Sequence, residues 1–103
     1  MASRVYDSLI SPGCIISGGR VARTIMSPGV RVDEHAHVDG SVLMDDVKVG
    51  RGARLRRVIV DKRVTIPDGM IIGYNHEEDA KRFLVTEGKI TVVPKEMPLE
   101  GWS

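Results

Sequence analysis

A chain of 103 residues is long enough for one domain and too short for a catalytic domain plus an accessory one. Fifteen Lys and Arg against fourteen Asp and Glu leave a net charge of +1, which argues against general affinity for nucleic acid or for membranes. The four aromatic residues (Tyr6, Tyr74, Phe83 and Trp102) are too few for a base-stacking platform, and the single Cys14 excludes a disulfide-stapled fold. No stretch nears the roughly 20 apolar residues of a membrane span. With no signal-peptide pattern in Met1–Val5, a cytoplasmic single domain is expected.

In chain order, residues 1–7 read as an N-terminal linker, residues 8–75 as solenoid rungs, and residues 76–103 as a capping helix, hairpin and tail. The rungs rest on an internal repeat. Ile15, Val32, Val49 and Ile66 recur every seventeen positions, as do Val21, Val38, Leu55 and Ile72. Further columns are Leu9, Met26, Leu43, Val60; Ser8, Ile25, Val42, Ile59; and Gly13, Val30, Val47, Val64. Within a rung the inward positions step by six, six and five (Leu9, Ile15, Val21, Met26), and pieces such as Val47-Lys48-Val49 alternate as strands do. Pro12-Gly13, Pro28-Gly29, Asp45-Asp46 and Asp68-Gly69 punctuate them as turns. Three short sides per rung, with aliphatics stacked rung upon rung, predict a triangular parallel β-solenoid. A β-sandwich gives no reason for identical columns at a fixed interval.

After Ile72 the pattern changes. Asn75 is placed to cap a short helix, with Glu78 three residues on, and the run from Glu77 to Phe83 has acids first and bases last. Leu84–Thr86 and Lys89–Val93 flank Glu87-Gly88 as a hairpin, and the tail is expected to cover the open end of the solenoid.

Ser17-Gly18-Gly19-Arg20 lacks the spacing of a phosphate-cradling loop and reads as a bend. His35 and His37 are expected to point to one face of a strand, as a surface pair rather than a zinc site. Cys14, without a partner base, reads as a packing residue. The basic residues carry more information: Arg51, Arg54, Arg56, Arg57, Lys62 and Arg63 fall within thirteen positions. Stacking sets Asp45 one rung before Lys62, Asp46 before Arg63 and Asp39 before Arg56, which predicts modest charge ladders. Arg20, His37 and Arg54 share a column with no acid between them, a pattern that favours an anion nearby.

Leu9–Gly18, Ser41–Arg51, Arg54–Lys62, Ile66–Gly73, Glu77–Phe83 and Pro94–Met97 together resemble, in order, the C-terminal domain of bacterial glucose-1-phosphate adenylyltransferases. The resemblance covers about residues 7 to 97, and Glu77-Glu-Asp-Ala-Lys-Arg-Phe83 is its most specific run. It implies an all-β, single-stranded, left-handed parallel β-helix with hexapeptide-like rungs. It also implies a regulatory and oligomerising role in an enzyme that makes ADP-glucose and pyrophosphate from ATP and glucose 1-phosphate for glycogen synthesis. Magnesium and ATP are implied for the full-length enzyme and no cofactor for this chain. The catalytic nucleotidyltransferase half is absent here, so the chain alone is expected to be inactive.

The implied partners are that missing N-terminal domain, further copies in a homotetramer, and phosphate effectors such as fructose 1,6-bisphosphate or AMP. Carried over residue by residue, Asp61-Lys62 and Lys95 correspond to basic positions linked to effector phosphate, with Arg56 and Arg57 as further candidates. Lys at 95, where the family motif has Arg, keeps the charge and loses the bidentate fork. Two other readings stay open: a standalone hexapeptide-repeat acyltransferase with His35 or His37 as general base, and a purely structural assembly module.

Overall fold

The computed structural model describes residues 4–99. In chain order the elements are β1 (Arg4–Tyr6), β2 (Leu9–Ile10), β3 (Ile15–Ile16), β4 (Arg20–Ala22), β5 (Ile25–Met26), β6 (Arg31–Val32), β7 (His37–Asp39) and β8 (Val42–Leu43). They continue with β9 (Lys48–Val49), β10 (Arg54–Arg56), β11 (Val58–Val60), β12 (Thr65–Ile66), β13 (Ile71–Ile72), α1 (His76–Asp79), β14 (Leu84–Val85) and β15 (Thr91–Val93). From β1 to β13 every third strand stacks in parallel on its predecessor, and the tail strands β14 and β15 add to one side, which yields three sheets: β1-β4-β7-β10-β13 (sheet I), β14-β15-β11-β8-β5-β2 (sheet II) and β12-β9-β6-β3 (sheet III). The triangular solenoid expected from the repeat is present. No helix among the described residues is long and apolar enough to cross a membrane.

The core is the prism axis. Val21, Val38, Leu55 and Ile72 stack inside sheet I; Met26, Leu43, Val60 and Val93 inside sheet II; and Val32, Val49 and Ile66 inside sheet III. All of these are at most 1% exposed. Burying each contributes on the order of 1.5–3 kcal/mol, so the stacked columns are the main source of cohesion.

The first rung departs from the seventeen-residue expectation. Val5 pairs with Val21, Ile10 with Met26 and Ile16 with Val32, each sixteen positions apart. Ile10, Ile16 and Cys14 therefore take the places expected for Leu9, Ile15 and Gly13. Leu9 is 70% exposed and Ile15 52%. The missing residue lies at the bend: three residues (17–19) separate β3 from β4, where four (33–36) separate β6 from β7. The tight corner requires glycine, since a Cβ on Gly19 would lie 3.0 Å from Val32 Cγ1 and 3.1 Å from the Asp33 carbonyl. The segment expected as linker also contributes to the solenoid, because Arg4–Tyr6 forms the first strand of sheet I.

At the edge between sheets I and II, one left-handed residue per rung turns the chain: Asp7, Arg23, Gly40 and Arg57 have φ of 45°, 48°, 58° and 52°. A hydroxyl follows three of them. The hydroxyls of Ser8, Thr24 and Ser41 donate to the carbonyls of Tyr6, Ala22 and Asp39 at 2.7–2.9 Å. Each oxygen in turn accepts the amide of the next rung: Thr24 N at 3.1 Å, Ser41 N at 3.4 Å and Val58 N at 3.2 Å. A buried edge thereby satisfies its backbone without sheet pairing.

The tail closes one end. The Asn75 side chain accepts from Glu78 N at 3.2 Å, as the capping pattern predicts. Asp79 is not a solvated dipole acid: it is 2% exposed, and its Oδ2 accepts from Gly73 N at 2.8 Å and from the Thr91 hydroxyl at 3.3 Å. The hairpin strands pair antiparallel, Leu84 with Val92, although the second strand begins at Thr91 rather than Lys89. Strand β15 then joins β11 in parallel, while Phe83 and Leu99 enter the core cluster. Trp102 and the tail beyond Leu99 lie outside the described residues.

Candidate functional site

The edge between sheets II and III gathers the positions singled out at Lys62 and Lys95. Val60 stacks under Val93, so the corner residues that follow are also in register, Lys62 with Lys95 and Arg63 with Glu96. Backbone bonds hold the stack: Asp61 N to Val93 O and Glu96 N to Lys62 O at 3.0 Å, and Arg63 N to Asp45 O at 2.9 Å. Adjacent strands lie about 4.8 Å apart, so the two lysines project from neighbouring rungs of one edge.

Their electrostatics are set by Asp61. Its Oδ1 accepts from the Lys62 amide at 2.7 Å and from Lys62 Nζ at 3.0 Å. Those bonds, with the charges of Lys62 and Lys95, hold its carboxyl below the usual range. Arg63 is claimed by Glu96, Nε to Oε2 at 3.1 Å, which lowers the Glu96 pKa and raises that of Arg63. This replaces the expected pairing of Arg63 with Asp46. Lys95 makes no ion pair among the described residues. An anion arriving here meets Lys95 directly and competes with Asp61 for Lys62.

Arg56 and Arg57 are elsewhere. Strand β11 runs between Arg57 and Lys62, a span of about 10 Å at 3.3 Å per residue. They line a shallow cavity of about 310 Å³ with Arg23, Asp39 and Gly40. Asp39 lies in register with Arg56 but binds Arg23 through both oxygens at 2.6 Å. Arg56 instead sits over the Tyr74 ring at 6.0 Å. The four basic candidates thus form two separate pairs.

His37 lies on the outer face of β7, whereas His35 occupies the preceding corner with φ of 61°, so the two do not share a strand face. Cys14 is half-buried, packs against the core and donates to the Ser27 carbonyl at 3.2 Å. Two features escaped the sequence reading, the buried Asp79 and the entry of Arg4 into the Arg20 column. The second was signalled by the short Gly18-Gly19 corner.

A parallel solenoid of short rungs with aliphatic columns defines a hexapeptide-repeat β-helix domain. More specifically, the family model described as "GlmU-like, C-terminal hexapeptide" matches residues 1–93, and the chain belongs to that family. It is similar to glucose-1-phosphate adenylyltransferases from Anaeromyxobacter sp. (strain Fw109-5), 51% identical over 94 residues, and Enterobacter sp. (strain 638), 48% over 91. A third relative, from Koribacter versatilis (strain Ellin345), is 47% identical over 93 residues. These matches cover 91%, 88% and 90% of this chain but only 23%, 21% and 22% of the relatives, in their C-terminal region.

Proposed function

We propose that this chain is the regulatory and oligomerising β-helix domain of a glucose-1-phosphate adenylyltransferase. Its edge at Lys62 and Lys95 supplies one side of a site for a phosphorylated effector. The observation that carries this reading is the register of Lys62 with Lys95, two residues 33 positions apart set on adjacent rungs. Ammonium groups spaced by one strand can share a phosphate, and Asp61 holds Lys62 in place until an anion displaces it. Fructose 1,6-bisphosphate and AMP are the effectors this reading favours. The reaction, from ATP and glucose 1-phosphate to ADP-glucose and pyrophosphate in glycogen synthesis, belongs to the whole cytoplasmic enzyme, acting as a homotetramer. The described residues gather no three His, Cys, Asp or Glu side chains able to hold a metal ion. On this reading magnesium and ATP belong to the catalytic portion of the whole enzyme, and the chain alone is expected to form no ADP-glucose.

The test is effector titration of the complete enzyme carrying Lys62→Ala or Lys95→Ala. Losing one charge-assisted contact of about 1.5–3 kcal/mol moves the half-saturating effector concentration roughly tenfold or more. Unchanged effector curves in both variants would instead mark the domain as an assembly module.

A further inference from the structure

Sheet I carries a second cationic feature, on a different side of the prism. Arg4, Arg20, His37 and Arg54 occupy successive positions of one register, spanning about 14 Å over three strand spacings. Like charges directly opposite one another across strands repel, so an uncompensated column costs stability. The nearby acids do not compensate it. Asp39, the one carboxylate on the outward strand positions of this sheet, is held by both oxygens on Arg23. At the adjoining corner Asp33 pairs with Arg31 at 2.9 Å, Glu34 lies 4.0 Å from Arg51, and Asp68 accepts the Arg51 amide. Among the described residues Arg4, Arg20 and Arg54 make no ion pair. The Tyr6 ring fixes Arg20 from one side, 5.7 Å away.

The short corner supplies a space. Gly18 and Gly19 bring no side chains, and a hollow of about 230 Å³ opens there against Arg4, Arg20, His35 and His37. A second hollow, of about 210 Å³, adjoins it, bordered by Arg20, His37, Asp39 and Tyr74. We propose that this face of sheet I is a binding site for a small oligophosphate anion, seated in the hollow against Arg4, Arg20 and His37, with the Arg54 guanidinium on the next strand adding its charge from beyond His37. Three guanidinium groups call for more than one negative charge, which a monocarboxylate does not carry. Phosphate oxygens accept the paired N–H bonds that arginine presents. The size of the hollows and the net charge of +1 favour a small anion over a nucleic acid strand.

The experiment is titration of the 103-residue chain with inorganic pyrophosphate at low salt, by calorimetry and by NMR of the His37 ring. Saturable binding that weakens with salt is expected, with movement of the His37 ring resonances. The Arg20→Gln/Arg54→Gln double variant keeps the aliphatic stems of two exposed residues and is expected to retain the fold by circular dichroism. Its dissociation constant should rise about tenfold or more, while Lys48→Gln, an exposed position on sheet III, leaves binding read at the His37 ring unchanged. Absence of saturable binding, equal affinity in the double variant, or equal loss in Lys48→Gln would each overturn the assignment.

Discussion

Ser41→Ala isolates the hydroxyl edge between sheets I and II. Ser41 is 2% exposed, and its oxygen is the acceptor for the fully buried Val58 amide at 3.2 Å. It also donates to the Asp39 carbonyl at 2.9 Å, but that carbonyl keeps the Arg57 amide at 2.9 Å. Alanine removes one oxygen and opens almost no cavity, so the loss reduces to one orphaned buried N–H. Such a group costs about 1–3 kcal/mol. In urea, where a small protein has a slope of about 1–3 kcal/mol per molar, the midpoint should fall by about 1 M with the slope unchanged. Thr24→Val is the internal comparison. It is nearly isosteric, and the bond it removes, from Ser41 N at 3.4 Å, is longer and weaker, so its loss should be smaller. A Ser41→Ala midpoint indistinguishable from the parent, or a larger loss in Thr24→Val, would refute the view that hydroxyls replace sheet pairing along this edge.

Leu55→Ala, at a fully buried position between Val38 and Ile72, should cost about 2–5 kcal/mol in the same assay. A loss below about 1 kcal/mol would show that neighbouring rungs collapse into the cavity. Asp79→Ala deprives Gly73 N and the Thr91 hydroxyl of their acceptor and should accelerate hydrogen exchange across Thr91–Val93 before that of the central rungs. Uniform exchange in the variant would mean the tail is held by its apolar contacts alone. For pH, His37 is held below its ordinary value by partial burial first, then by Arg54, Arg20 and His35, with Asp39 and Tyr74 beside it. The unfolded chain therefore binds this proton more readily, and stability should fall as pH drops below about 6.5. His37→Asn should flatten that slope, and an unaltered slope would assign it to other groups.

The sequence alone carried the architecture of rungs two to four, because burial alternates along each strand and repeats at a fixed interval. Val21, Val38, Leu55 and Ile72 read as one inward column from their spacing, and the structure stacks them so. The Asn75 cap and the Glu87-Gly88 hairpin were equally legible, since each depends on neighbours a few residues away. The first rung was ambiguous. Leu9 and Ile10, and Ile15 and Ile16, are adjacent aliphatics, so hydrophobicity cannot say which of each pair faces inward. Backbone pairing with the second rung, through a corner one residue shorter, chose Ile10 and Ile16. Charge partners were likewise undetermined by register, because long side chains reach diagonally. Asp39 went to Arg23 and Arg63 to Glu96, although stacking alone pointed to Arg56 and Asp46. Lys62 and Lys95 became neighbours only because the hairpin returns β15 to sheet II, a contact made by the folded tail rather than by the repeat.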